Sequence, residues 1–92
     1  MCANDRLAEL VIPALESRGV RVPQQVGVTG YDAMLAEGEG RGVTTIDPQF
    51  VEIGRAALEL AVRRVSNSCA ARLHVAVNCR FVAGKTTGLV AR

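Results

Sequence analysis

The chain is poor in aromatic residues. Of its 92 residues only Tyr31, Phe50 and Phe81 are aromatic, and tryptophan is absent. With 49% of the residues hydrophobic, the core must be built from Leu, Val, Ile and Ala. Cysteine is equally sparse: Cys2, Cys69 and Cys79 are odd in number and none has C-x-x-C spacing. That pattern supplies neither a disulfide framework nor a zinc site and reads as free thiols in a reducing compartment. No apolar run is long enough to span a bilayer. Asn4, Asp5, Arg6 and Glu9 interrupt any apolar core of a signal peptide, so the chain reads as cytoplasmic, with no membrane partner. The formal net charge is only +2, and Arg63-Arg64 is the one adjacent basic pair, which argues against a nucleic-acid face within these residues.

Catalytic constellations are missing too. The one histidine, His74, alternates with Leu73 and Val75 as a strand residue would. No nucleophile–base order and no paired carboxylates accompany it, so no catalytic residue is assigned and an enzyme is not expected. Gly84-Lys85-Thr86 resembles the end of a phosphate-binding loop, but the glycine required five positions earlier is Cys79. No metal ligands and no cofactor motif remain to be placed.

What is present is an alternation of helical and strand-like stretches in one small domain. Asn4 or Asp5 is a good helix cap. Leu7, Leu10, Val11, Ala14 and Leu15 follow at helical spacing, predicting a helix to about Arg18, with Gly19 suited to the left-handed position just past its end. Pro13 falls inside this pattern, where it costs about 3 kcal/mol and predicts a kink. Val26–Thr29 predicts a buried strand, 33–42 a mobile glycine-rich loop, and Val43–Ile46 a second strand of β-branched residues. Asp47-Pro48 reads as a helix start, with the helix running to about Val65 and an apolar face containing Phe50, Ile53, Ala57, Leu60 and Ala61. Leu73–Val77 and Arg80–Ala83 read as two short strands, and Gly84–Gly88 as a closing loop. Strand, helix, strand in this spacing is a parallel βαβ unit around the first helix, whose first strand would have to lie at or before Met1 and is essentially missing from these residues.

Val26-Gly27-Val28-Thr29-Gly30-Tyr31-Asp32 organises the rest. It is an apolar run, a glycine that permits a sharp turn, and a carboxylate just past the strand's carboxyl end, the edge where open α/β sheets bind ligands.

The ordered motifs of the chain resemble those of the LacI/GalR family of transcription regulators. Cys2-Ala3-Asn4-Asp5-Arg6-Leu7-Ala8 is similar to the family's A-N-D-x-x-A. Gly19-Val20-Arg21-Val22-Pro23 followed by Val26–Asp32 resembles G-x-x-V-P-x-D-V-x-V-x-G-[FY]-D. Thr44-Thr45-Ile46 resembles L-T-T-[VI], Gly54–Leu60 resembles G-x-x-A-x-x-x-L, and Phe81–Thr87 resembles L-V-x-R-x-S-T. The departures are specific: Ala33 replaces a second polar residue after the G-[FY]-D motif, Pro48 stands where some relatives have Gln, Gly84 replaces an arginine, and the 33–42 loop lacks a proline.

The resemblance implies an α/β fold of the periplasmic-binding-protein-like type I class, Rossmann-like and built on parallel βαβ units. Residues 1–92 would form its C-terminal portion only, with the operator-binding helix-turn-helix absent from the chain. It implies a homodimer that responds to a small-molecule effector, a carbohydrate, and reaches operator DNA only through that absent N-terminal domain. Asn4 and Asp32 are the positions that resemble the family's effector-binding residues, and their chemistry suits hydroxyl recognition: a carboxylate accepts from two hydroxyls, and an amide both donates and accepts. A periplasmic sugar-binding protein of an ABC transporter is the alternative, since it shares the fold.

Overall fold

The computed structural model describes residues 1–35 and 40–88. Ala36, Glu37, Gly38 and Glu39 of the expected loop lie outside the described residues, as do residues 89–92. The element order is α1 (Asp5–Ser17), β1 (Thr45–Asp47), α2 (Phe50–Ser66) and β2 (Arg80–Val82). Two compact units are formed, one from 1–47 with 81–92 and one from 48–80.

The first unit holds the buried core. Asn4, in extended conformation, caps α1 by accepting from the Leu7 amide at 2.9 Å. The helix continues through Pro13. It ends as expected: Gly19 takes φ +80°, its amide donates to the Glu16 carbonyl, and the Val20 amide donates to that of Leu15, a left-handed closure that glycine adopts without strain. The buried face is not the expected one. Ala8 and Ile12, with Asp5, face the core, while Leu7, Leu10, Val11 and Ala14 are exposed and Leu15 is half-buried. Positions 5, 8 and 12 satisfy helical spacing as well as 7, 11 and 15 do. The face that is covered is the one that meets Val28 and Val43, which complete the core.

The predicted strand at Val26–Thr29 is an extended segment held by single hydrogen bonds rather than a long ladder. Thr29 forms an isolated parallel bridge with Thr44. The Gly30 amide donates to the Thr44 carbonyl at 2.9 Å, and the Asp32 amide to that of Ile46 at 3.0 Å. On the amino-terminal side, the Cys2 amide donates to the Thr29 carbonyl at 2.7 Å. Residues before α1 therefore lie beside the segment after it, joined by backbone hydrogen bonds at Cys2 and Asp5, but no strand flanks α1 on either side, so the expected βαβ unit is not completed among the described residues. β1 starts two residues later than predicted and pairs with β2 in a two-stranded sheet.

Residues 84–88 have no regular structure, as expected, yet they lock the unit together. The Thr86 hydroxyl donates to the Val28 carbonyl at 2.6 Å and accepts from the Thr44 amide at 2.9 Å. The Thr44 hydroxyl meets that of Thr87 at 2.7 Å and accepts from the Gly84 amide at 3.0 Å. Thr44 and Thr86 are almost fully buried, so each of these bonds satisfies a group that water cannot reach. A side chain at Gly84 would run into the Gly42 carbonyl.

The second unit is α2 with the segment that follows it. Asp47-Pro48 does not start the helix. Asp47 ends β1, and the cap is Gln49, in a left-handed conformation with φ 61° and no capping bond from its side chain. The strand pairing that claims Asp47 thus overrides its capping propensity. No residue of α2 is buried, and Phe50, Val51, Leu58, Val62 and Val65 are exposed. The strand expected at Leu73–Val77 is not formed: 71–79 carry no regular structure, because no paired backbone satisfies a ladder there. The last predicted strand is present as Arg80–Val82.

Candidate functional site

The two residues singled out from the sequence stand on neighbouring backbone segments. The Asp5 amide, first of α1, donates to the Tyr31 carbonyl at 3.0 Å. The dipeptides Asn4-Asp5 and Tyr31-Asp32 are thereby tied side by side. Asn4 is half-buried, with its carbonyl oxygen used as the helix cap. An asparagine amide carries two donor hydrogens that capping does not use.

Asp32 is half-buried as well. Its φ is +101° and that of Ala33 is +52°, a region L-residues enter at a cost and Asp tolerates better than most. One carboxylate oxygen accepts from the Met34 amide at 3.1 Å, an Asx turn that holds the left-handed bend. The carboxylate keeps further lone pairs for a ligand hydroxyl. Each of the two side chains is thus held by a local backbone bond, Asn4 by the Leu7 amide and Asp32 by the Met34 amide.

Two supporting residues escaped the sequence reading. Asp5 is nearly fully buried, and its Oδ1 has no hydrogen-bond partner. That oxygen fills the space a side chain on Gly30 would need. The motif glycine thus serves close approach of α1 to the turn as well as the turn itself. The signal in the sequence was the spacing of Asp5 with Ala8 and Ile12, masked by a more hydrophobic stripe beside it. The second residue is Arg41. Its amide donates to Glu9 at 2.7 Å and its guanidinium pairs with Glu16. The hydrogen bond that the guanidinium donates to Glu16 holds the Arg41 pKa above its ordinary value, opposed by desolvation and reinforced by the charges of Glu16 and Glu9. These contacts pin the far end of the 33–42 loop to α1, while Asp32 anchors its near end.

A shallow groove in this unit lies at the other end of α1, beside Glu16, Val20, Val22 and Arg41, away from Asn4 and Asp32. Among the described residues no cluster of His, Cys, Asp or Glu could hold a metal ion, and no helix is long and apolar enough to cross a membrane.

The helix packed beside the Val28–Asp32 segment, with the small sheet that follows, is a partial α/β fold of the periplasmic-binding-protein-like class. The sequence matches the periplasmic binding protein-like domain family over residues 1–87, and the chain belongs to that family, in its LacI/GalR regulator branch. It is 34% identical over 73 residues to the uncharacterized HTH-type transcriptional regulator YvdE of Bacillus subtilis, covering 78% of this chain and 23% of that protein. It is 37% identical over 67 residues to the HTH-type transcriptional repressor PurR of Photobacterium profundum, covering 72% of this chain and 20% of the repressor. Among solved structures, a dimeric Lac repressor with an 11-residue C-terminal deletion superposes with TM-score 0.82 at 26% identity, over 99% of this chain and 34% of the repressor. A LacI family regulator from Enterococcus faecium with bound ribose gives TM-score 0.78 at 26% identity, over 92% of this chain and 32% of the regulator. The chain thus spans about a fifth to a third of the length of these relatives. They are transcription regulators rather than enzymes.

Proposed function

We propose that residues 1–92 form the C-terminal part of the effector-sensing and dimerising domain of a LacI/GalR-type regulator. The effector is a small polar molecule, a carbohydrate, with Asn4 and Asp32 as its hydrogen-bonding residues. Operator DNA is bound by a helix-turn-helix carried elsewhere in the longer protein, and the active species is a homodimer. The observation that carries this reading is the bond from the Asp5 amide to the Tyr31 carbonyl. It ties the segments that carry the two polar positions side by side, which supports a shared site of the kind α/β folds build where strands end. The match to a regulator with bound ribose makes ribose the first probe. Regulators among the relatives favour this reading over a transporter's sugar-binding protein.

The test is calorimetric titration of ribose and other monosaccharides into the wild-type chain and Asp32→Asn. Saturable binding weakened about tenfold or more in the variant, as loss of a charge-assisted hydrogen bond implies, is the expected result. Equal binding by both proteins removes Asp32 from the site.

A further inference from the structure

The segment 48–80 contains five arginines and two carboxylates, and three of the arginines line a groove apart from both carboxylates. Glu52 and Glu59 line one groove beside α2, together with Arg55, which pairs with Glu52 at 3.4 Å. Arg63, Arg64 and Arg72 line another, with Leu60 and Leu73 and without an acid. Arg72 is eight positions beyond Arg64 and joins it because the chain reverses after α2.

That reversal is built on Arg64 itself. Its Nη1 donates to the Ser68 carbonyl at 3.3 Å and to the Ala70 carbonyl at 3.2 Å. The Cys69 amide donates to the Asn67 side chain at 3.0 Å. The Arg64 guanidinium is therefore held in place, and the Nη1 bonds leave its Nε and Nη2 donors unused by the turn. Holding a long side chain in advance lowers the entropy lost on binding.

Three guanidiniums with no carboxylate among them repel one another, and an anion relieves that repulsion. Guanidinium donors match phosphate oxygens in pairs, which favours phosphate over a spherical anion. Duplex DNA requires contacts spread along a backbone, whereas these three arginines line one groove.

We propose that this groove binds a phosphate monoester dianion, with Arg63, Arg64 and Arg72 on the phosphate and Leu60 and Leu73 against the group that bears it. The site belongs to residues 60–73 and does not depend on the effector role of Asn4 and Asp32.

The experiment follows the arginine Nε–H resonances of the full chain during titration with inorganic phosphate and, separately, O-phosphoserine, at neutral pH and constant ionic strength. Saturable shifts at Arg63, Arg64 and Arg72, with Arg6, Arg18 and Arg21 unmoved, are expected. Arg72→Gln, and independently Arg63→Gln, should weaken binding about tenfold with an unchanged circular dichroism spectrum. Tighter binding of O-phosphoserine than of inorganic phosphate is expected, because only the ester presents a group to Leu60 and Leu73, and equal or weaker binding of the ester overturns the monoester assignment. Shifts that grow linearly at all arginines, no shifts at all, or variants that bind as the wild type does, overturn the proposal.

Discussion

Asn4 combines two tasks that substitution can separate. Its side-chain oxygen caps α1, and its amide hydrogens are the groups proposed to meet the effector. Asn4→Ala should cost about 1 kcal/mol through the lost cap and should also abolish effector binding. Asn4→Ser retains a capping oxygen without the amide, so it should melt within a degree or two of the wild type, as a preserved cap implies, yet bind ribose no better than Asn4→Ala. Thermal melts and calorimetry on the same samples check both outcomes. Thr86 has no such second task. Its hydroxyl joins Val28 to Thr44 across 58 and 42 residues of sequence. Thr86→Val keeps the shape but leaves a buried carbonyl and a buried amide unpaired, at ~1–3 kcal/mol for each such group. A loss of about 2–6 kcal/mol by urea denaturation is therefore expected, enough to unfold much of a small domain. At Gly30 the limit is space. Gly30→Ala places a methyl group against the Asp5 carboxylate and should destabilise by about 1–3 kcal/mol, as overpacking does.

Among the elements, α1 shows most directly how packing selects a face. Ile12 is fully buried and Leu10 is 70% exposed, although both are apolar residues at plausible core positions in the same helix. Ile12→Ala should cost about 2–5 kcal/mol, while Leu10→Ala should stay within about 0.5 kcal/mol in the monomeric chain. Equal losses on denaturation would show that the Leu7–Leu10–Val11 side is covered in solution. The opposite end of the same helix is tied down by charge. Glu9 and Glu16 stand two turns apart and both hold Arg41, so the helix carries the loop as well as the core. Because Arg41 and Glu16 are substantially exposed, this pair contributes little to stability, and its effect is on where the loop ends.

For the molecule as a whole, the decisive quantity is the apolar surface left open. Among the described residues the buried hydrophobic ones number four, Ala8, Ile12, Val28 and Val43, against a long series of exposed ones that includes most of the apolar residues of α2. Contiguous apolar surface of more than a few hundred Å² is ordinarily covered by another molecule, and a small domain with so short a core has little stability of its own. The 92-residue chain is therefore expected to be a dimer or larger, or only partly folded, when isolated. Light scattering together with circular dichroism checks this. A compact monomer that melts cooperatively at micromolar concentration would show that the chain closes its own core.

The sequence by itself determined the features that depend on a few adjacent residues. The cap at Asn4, the helix end at Gly19, the turn after Gly30 and the ordered motifs of the family all follow from local backbone preferences, which neighbours in the chain settle. It placed α1, the interior of α2 and the last short strand, and it marked Asn4 and Asp32 as candidates. Tertiary structure decided what depends on partners far along the chain. Which of two apolar stripes on α1 is buried was set by Val28 and Val43, since both stripes obey the same 3.6-residue period. Pairing of β1 with β2 took Asp47 from its helix cap, and the lack of a partner strand left 71–79 without one. The glycine–threonine stretch Gly84–Thr87, which locally suggests only a loop, became a clamp because its hydroxyls meet backbone groups that are buried and would otherwise lack partners. The grouping of Arg72 with Arg63 and Arg64 arose the same way, from a chain reversal that brings together charges the sequence keeps apart.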